Sequence, residues 1–331
     1  MKYGLETFTG IRPTADLTIA NYLGAIDPLV DYESANQGHQ TAVFVAEMHA
    51  ATTDDPRKVM ANSNELVRTL IASGVEGQIF SQRSFQPQVA AIETCFRSLT
   101  TVSRILRLPT LKEKIKQSDN PEVANVALAM YPILMASDIV LMRPRFVPTG
   151  KDQLPHLEVT RELIHSFNKT YGAQLPIPTQ RIEDPINVLA LDNSGRKMSK
   201  SHPSGAIFLD DEPGVAARKI SRATTASGPG DEMDRAVDNL VFIGTRLGNV
   251  VSGSDLLCIG NGVKDGQPRL KELKDGVASN VLAFLGTIQS RKSDISDAAV
   301  AERLSAGHDW ASPIAKQTLD HVFDAYWGTT K

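Results

Sequence analysis

Thr41-Ala42-Val43-Phe44-Val45-Ala46 is an unbroken apolar run, and Thr53-Asp54-Asp55-Pro56 soon follows it, opening a stretch from Arg57 to Ser73 whose apolar residues recur at helical spacing. A short, continuous apolar run suits a strand buried on both faces, as in a parallel sheet. An Asp-Pro pair suits a helix start, where the acid can cap free N–H groups and proline lacks an N–H that would be orphaned anyway. Upstream, Phe8-Thr9-Gly10-Ile11 reads as a short strand ending in a turn at Pro13, and Asn21 to Leu29 has helical spacing. Downstream, Gln78-Ile79-Phe80-Ser81 reads as the next strand. Such alternation predicts an α/β fold, a parallel sheet with helices on both faces. Ligands then sit beyond the carboxyl ends of the strands, where the strand order reverses.

Beyond Ser201 the pattern changes. Val215 to Ala223, Arg235 to Leu247 and Leu270 to Ser290 read as helices, and Glu302 to Trp327 contains at least one more. The spacing predicts a division into residues 1–203 and a mostly α-helical part, 204–331, with the last helix able to pack back on the first part. The chain has 331 residues, 41% hydrophobic and 22% charged, ample for a buried core without disulfides. Cys95 and Cys258 are far apart, without ligand-like spacing, so a reducing compartment and no protein-held metal are expected. No apolar signal core or spanning run is present, which predicts a cytoplasmic protein without membrane contact. The net charge of −3 neither suggests nor excludes a nucleic-acid partner; an RNA-binding face would be a local basic patch.

Four segments carry chemistry. In Gly10-Ile11-Arg12-Pro13-Thr14, followed by Thr18-Ile19-Ala20-Asn21-Tyr22-Leu23-Gly24-Ala25, a strand and loop lead into a helix start. The free N–H groups there suit an anion, and Thr18 and Asn21 could donate to phosphate; a plain helix cap would use the same residues. In Lys197-Met198-Ser199-Lys200-Ser201, two lysines in a loop suit a triphosphate whose leaving group needs cations; a solvated basic loop is the plainer reading. Asp138 is the lone acid in the apolar stretch Tyr131 to Met142, sharing a helix face with Tyr131 and Met135. A buried carboxylate needs a donor, from the protein or from a ligand. In Val147-Pro148-Thr149-Gly150-Lys151-Asp152-Gln153-Leu154-Pro155-His156, a strand ends in a glycine turn that points Asp152 and Gln153 toward the crevice, with a structural role the plainer one for His156.

Together these segments resemble the class I aminoacyl-tRNA synthetases, with a HIGH-type signature early and a KMSKS loop late. Lys197 to Ser201 matches KMSKS in full, and Thr18 to Ala25 is similar to the tryptophanyl form of HIGH. The phrases from Tyr131 to Asp138 and from Val147 to His156 resemble those of the tryptophanyl-tRNA synthetases; the former argues against the tyrosyl branch. The resemblance runs from about Phe8 to Ser227 and implies a Rossmann-like nucleotide-binding domain followed by an anticodon-binding helical domain.

It also implies roles. Thr18 and Asn21 would contact the ATP phosphates, and Gly10, Ile11, Arg12 and Ala20 would line the nucleotide site. Gly150, Lys151 and Asp152 would border the ribose, and Val188 would pack near adenine. Lys197 and Lys200, in the ATP-binding loop Lys197, Met198, Ser199, Lys200 and Ser201, would steady the pyrophosphate together with Mg²⁺ brought by ATP, and Lys114 would reach the same phosphates. Asp138 would accept from the indole N–H of L-tryptophan, walled by Phe8, His49, Met135, Val147 and Thr149, while Tyr131 and Gln153 would hold its amino and carboxylate groups. The partner would be tRNA(Trp), with Lys219, Arg222 and Arg235 as phosphate contacts or simply a solvated helix face, and the family implies a homodimer. Ala20 and Ala15 stand where the family has glycine, Lys151 where an acid is common and Arg12 where glutamine is common. Phenylalanine, lacking the indole donor, would leave the Asp138 carboxylate buried without its donor, a mismatch that can cost factors of about 10⁴–10⁵, whereas tyrosine, whose phenol can also donate, would have to be excluded by pocket shape.

Overall fold

In the computed structural model, residues 1–13, 16–108, 126–148, 154–181, 188–192, 195–200, 202–225, 231–248 and 250–328 are described. Five strands form one parallel sheet: β1 (Leu5–Ile11), β2 (Thr41–Val45), β3 (Gln78–Ser81), β4 (Pro144–Pro148) and β5 (Thr179–Arg181), in the order β3-β2-β1-β4-β5. The chain winds outward from β1 in one direction and then, through β4, in the other. The reversal lies between β1 and β4, so the crevice opens beyond Ile11 and Pro148.

Alternation along the strands feeds two separate cores. Val43, Val45 and Ile79 point into one, and Ala42, Phe44 and Phe80 into the other. The first core gathers α1 (Ile19–Asn21), the π-turn Tyr22–Ile26, α2 (Asp27–Ala35) with its Leu29, and α4 (Pro56–Ala72); α3 (Glu47–Ala50) lies just past β2. Asp55 caps α4, accepting from Arg57 N–H at 2.9 Å, with Pro56 in its first turn. The second core gathers α5 (Gln86–Arg97), α6 (Val102–Leu106), α7 (Val126–Met142) and α8 (Leu154–Tyr171).

The remaining helices are α9 (Pro213–Ser221), α10 (Asp231–Leu247), α11 (Gly253–Lys264), α12 (Leu270–Ser293) and α13 (Asp297–Trp327). Spacing alone did not suggest α11, whose interior Gly260 and Gly262 are weak helix formers. Ser252 caps it by accepting from Asp255 N–H, and Gly260 leaves room that a Cβ would take within 2.6 Å of Val241. The first core continues through Val188, Met198, Ile207 and Leu209 into Val237, Leu240 and Val277, so apolar packing is unbroken across residue 204. The last helix runs along β3: Val300 lies in the first core, Ala311, Ala315 and Val322 in the second. At Gly307 a Cβ would stand 2.0 Å from the Ile79 carbonyl oxygen, so only glycine admits this approach to the edge strand. An edge covered in this way cannot pair with another chain.

Candidate active site

The turn after β1 leads to Thr18, which caps α1. Its hydroxyl accepts from Asn21 N–H at 3.3 Å and donates to Asn21 Oδ1 at 2.9 Å, while Thr18 N–H donates to the same oxygen at 3.0 Å. This capping box fixes both side chains. It uses Asn21 Oδ1 and leaves the Nδ2 donor of this exposed residue outside the cap. Gly10 sits where a Cβ would fall 2.4 Å from the Phe44 ring. Arg12 extends from the end of β1 to Thr53 Oγ1 at 2.6 Å and Asp54 Oδ2 at 3.2 Å. Ala20 is 4% exposed and turned into the first core.

The lysine loop is a hairpin tied to this turn. Leu189 pairs with Lys197 in an antiparallel bridge, and Thr18 pairs with Phe208 in another. Ile19 N–H donates to Ile207 C=O at 2.9 Å and Leu209 N–H to Leu17 C=O at 2.8 Å. Leu191 N–H reaches Gly205 C=O at 2.8 Å, so the segment after the hairpin joins it to the Thr18 turn. Val188 and Met198 are buried anchors in the first core, Ser199 is half-buried, and Lys197 and Lys200 are exposed, neither ion-paired with another described residue. Exposed cations without an acidic partner among the described residues can follow a phosphate as it moves.

Across the sheet, α7 presents Asp138, whose carboxylate is 4% exposed. Gln82 Nε2 donates to its two oxygens at 2.9 and 2.8 Å, and His49 Nε2 stands 2.9 Å from Oδ2. Gln82 follows β3 directly and His49 lies on α3 just past β2, so two strand ends deliver these donors to one acid. Met48 N–H donates to Gln82 Oε1 at 3.0 Å, which turns the Gln82 amide nitrogen toward Asp138. Beside them Glu47 is buried and accepts from Ser81 Oγ at 2.5 Å and Arg83 N–H at 3.4 Å. Burial pushes its carboxyl up from the usual value, against the pull of those donors.

Tyr131 Oη lies 2.6 Å from His156 Nε2, the rings meeting edge-on at 4.9 Å, and both residues are buried. Met135 and Val147 pack with Ile139 and Leu157. Phe8 stacks on Phe44 at 4.8 Å and is 2% exposed. The structure thus brings Asp138 together with His49, and the Thr18 turn together with the lysine hairpin. Thr14, Ala15, Lys114, Thr149, Gly150, Lys151, Asp152, Gln153 and Ser201 lie outside the described residues. Lys219, considered above as a phosphate contact or part of a solvated helix face, ion-pairs with Asp211 at 2.7 Å over the Phe208 ring. The sequence reading missed Gln82, although its place just after a strand was a usable signal.

The model of the class I tRNA synthetases for tryptophan and tyrosine matches residues 3–256. A tryptophan–tRNA ligase of Helicobacter pylori is 34% identical over 330 residues, 95% of each chain, and one of Treponema pallidum is 31% identical over 97% of this chain and 96% of its own. Among solved structures, a tryptophanyl-tRNA synthetase of Mycoplasma pneumoniae superposes with a TM-score of 0.84 at 29% identity, covering 98% of this chain and 97% of that one. One from Campylobacter jejuni, complexed with ADP and tryptophan, gives 0.79 at 25% identity over 97% and 99%. Matched by the family model over most of its length and by tryptophan–tRNA ligases over 95–97% of it, the chain belongs to the class I tRNA synthetases, in the tryptophanyl branch.

Proposed function

We propose that the chain activates L-tryptophan with ATP, giving tryptophanyl-adenylate and pyrophosphate, and then transfers tryptophan to the terminal ribose hydroxyl at the 3′ end of tRNA(Trp), releasing AMP. The observation that carries the tryptophan reading is Asp138, a buried acid on an apolar helix whose orientation is set by Gln82 and His49. Indole offers a donor and no acceptor, so a carboxylate is its fitting partner. An ionised carboxylate has about four lone-pair positions, so the indole N–H can be added to the donors already present.

Tyr131 and Gln153 would hold the amino acid's polar end, and Phe8, His49, Met135, Val147 and Thr149 would shape the ring pocket. Asn21 would offer its Nδ2 donor to phosphate, with Thr18 holding the amide in place. Gly10, Ile11, Arg12, Ala20, Val188, Gly150, Lys151 and Asp152 would frame the nucleotide, the buried ones from behind. Lys114, Lys197 and Lys200 would stabilise charge on the departing pyrophosphate, with Met198 seating the loop and Ser199 and Ser201 flanking its lysines. No side-chain nucleophile is required, because the tryptophan carboxylate attacks the α-phosphate directly. Catalysis is then positioning plus charge stabilisation.

Mg²⁺ would arrive with ATP. Among the described residues no group of three or more His, Cys, Asp or Glu is placed to hold a metal ion. Among the described residues no helix is long and apolar enough to cross a membrane. The resemblance to the family implies a cytoplasmic homodimer. Residues 204–331, read as a separate domain, would meet the anticodon. The test is charging: incubation with ATP, labelled tryptophan and tRNA(Trp) should give acid-precipitable label that is lost when ATP is omitted. Label that stays at background with active tRNA would refute the reading.

A further inference from the structure

The hairpin that carries the lysines is gripped by a side chain of the helical part. Leu189 and Lys197 face each other across an antiparallel bridge. Met198 N–H donates to Val188 C=O at 2.8 Å on one side of that pair, and Ala190 N–H to Arg196 C=O at 2.9 Å on the other. In an antiparallel ladder, a pair flanked in this way is the non-hydrogen-bonded kind. Its Cα atoms approach most closely, about 4.5 Å, and its own N–H and C=O groups point away from the partner strand. The outward groups of Leu189 are therefore open to something else, and α10 supplies it. Asn239 Oδ1 accepts from Leu189 N–H at 2.8 Å, and Asn239 Nδ2 donates to Leu189 C=O at 3.1 Å. A carboxamide carries one acceptor and one donor side by side, so Asn239 completes the ladder as an added strand would. Its neighbours on α10, Val237 and Leu240, are buried in the first core and hold the helix in place.

We propose that Asn239 is a positioning residue for adenylate formation. By fixing Leu189 it sets, through the closest-approach pair, the point from which Lys197 reaches toward the pyrophosphate. This rests on the assignment of Lys197 and Lys200 as the cations of that step. Among the described residues, the hairpin held by Asn239 packs in the first core, whereas Tyr131 on α7 packs in the second.

Asn239→Leu keeps the heavy-atom count and branching of the side chain and removes both hydrogen bonds. A displacement on the order of 1 Å at a reacting group costs on the order of 10²-fold in rate. The expected result is therefore a fall of about 10- to 100-fold in kcat for tryptophan-dependent ATP–pyrophosphate exchange, with calorimetric tryptophan affinity changed by less than about twofold. Asn239→Asp keeps the acceptor for Leu189 N–H but sets a carboxylate oxygen against Leu189 C=O. It should lose kcat with the same unchanged tryptophan affinity, and it carries the test if the leucine variant does not fold. A merely structural role would lower tryptophan affinity and kcat together, and that outcome overturns the proposal, as does parental kcat in either variant. Absence of exchange in the parent chain would be separate, since it would overturn the functional reading first.

Discussion

Asp138→Ala is expected to lower kcat/KM for tryptophan in pyrophosphate exchange by roughly 30- to 5,000-fold, the equivalent of about 2–5 kcal/mol for truncating one partner of a buried, hydrogen-bonded charged contact. The change strands three donors at once. Gln82 Nε2 loses both carboxylate oxygens, His49 Nε2 loses its 2.9 Å partner, and the indole N–H enters a pocket without an acceptor. The same geometry revises the expected rejection of phenylalanine. A factor of about 10⁴–10⁵ applies when a missing donor leaves a site's polar group unpaired. Here Gln82 and His49 stay on Asp138 whatever ring is bound. The electrostatic loss then reduces to one charge-assisted hydrogen bond, about 1.5–3 kcal/mol. Ring size adds about 1–3 kcal/mol more, so discrimination of about 10²–10⁴-fold is expected. Asp138→Ala should narrow that gap, because both substrates meet the stranded Gln82 and His49 donors but only tryptophan also loses its own acceptor. Steady-state exchange with both amino acids measures it, and parental tryptophan kinetics in the variant would refute the role given to Asp138.

Lys197→Ala and Lys200→Ala are each expected to lower kcat for exchange by about 10²–10³-fold, the scale of removing one group aimed at charge that develops in the transition state. Tryptophan affinity measured by calorimetry should not change, because a contact formed only as the pyrophosphate departs is absent from the ground state. Both lysines are exposed, and neither ion-pairs with another described residue, so the alanine variants should melt within a few degrees of the parent. The hairpin beneath them does not depend on their side chains: Val188 and Met198 are in the core and the ladder is made of main chain. Loss of tryptophan affinity in step with kcat would instead mean that the hairpin shapes the amino-acid pocket.

Sequence patterns exposed the parallel strands well. The Thr41–Val45 run, the Asp55-Pro56 helix start and the Gln78–Ser81 strand all appear where periodicity and capping chemistry put them. Such signals are local, and neighbouring residues suffice to produce them. The π-turn at Tyr22–Ile26 was not legible, since its helical spacing is that of an ordinary helix. Nor was α11, because tolerance of Gly260 and Gly262 depends on Val241 and Gln267, which only the fold brings near. The candidate site divides similarly. The lysines, the Thr18 turn and Asp138 announce themselves by residue type in an unusual setting. Gln82 and Asn239 are ordinary polar residues in sequence, and their importance comes from the long-range contacts Gln82–Asp138 and Asn239–Leu189.

Tryptophan-dependent ATP–pyrophosphate exchange, run in parallel with tyrosine and phenylalanine, tests the central claim most directly. The predicted result is rapid exchange with tryptophan and rates at least about 10²-fold lower in kcat/KM with the other two. Equal or faster exchange with tyrosine, or no exchange with any of the three, would contradict it.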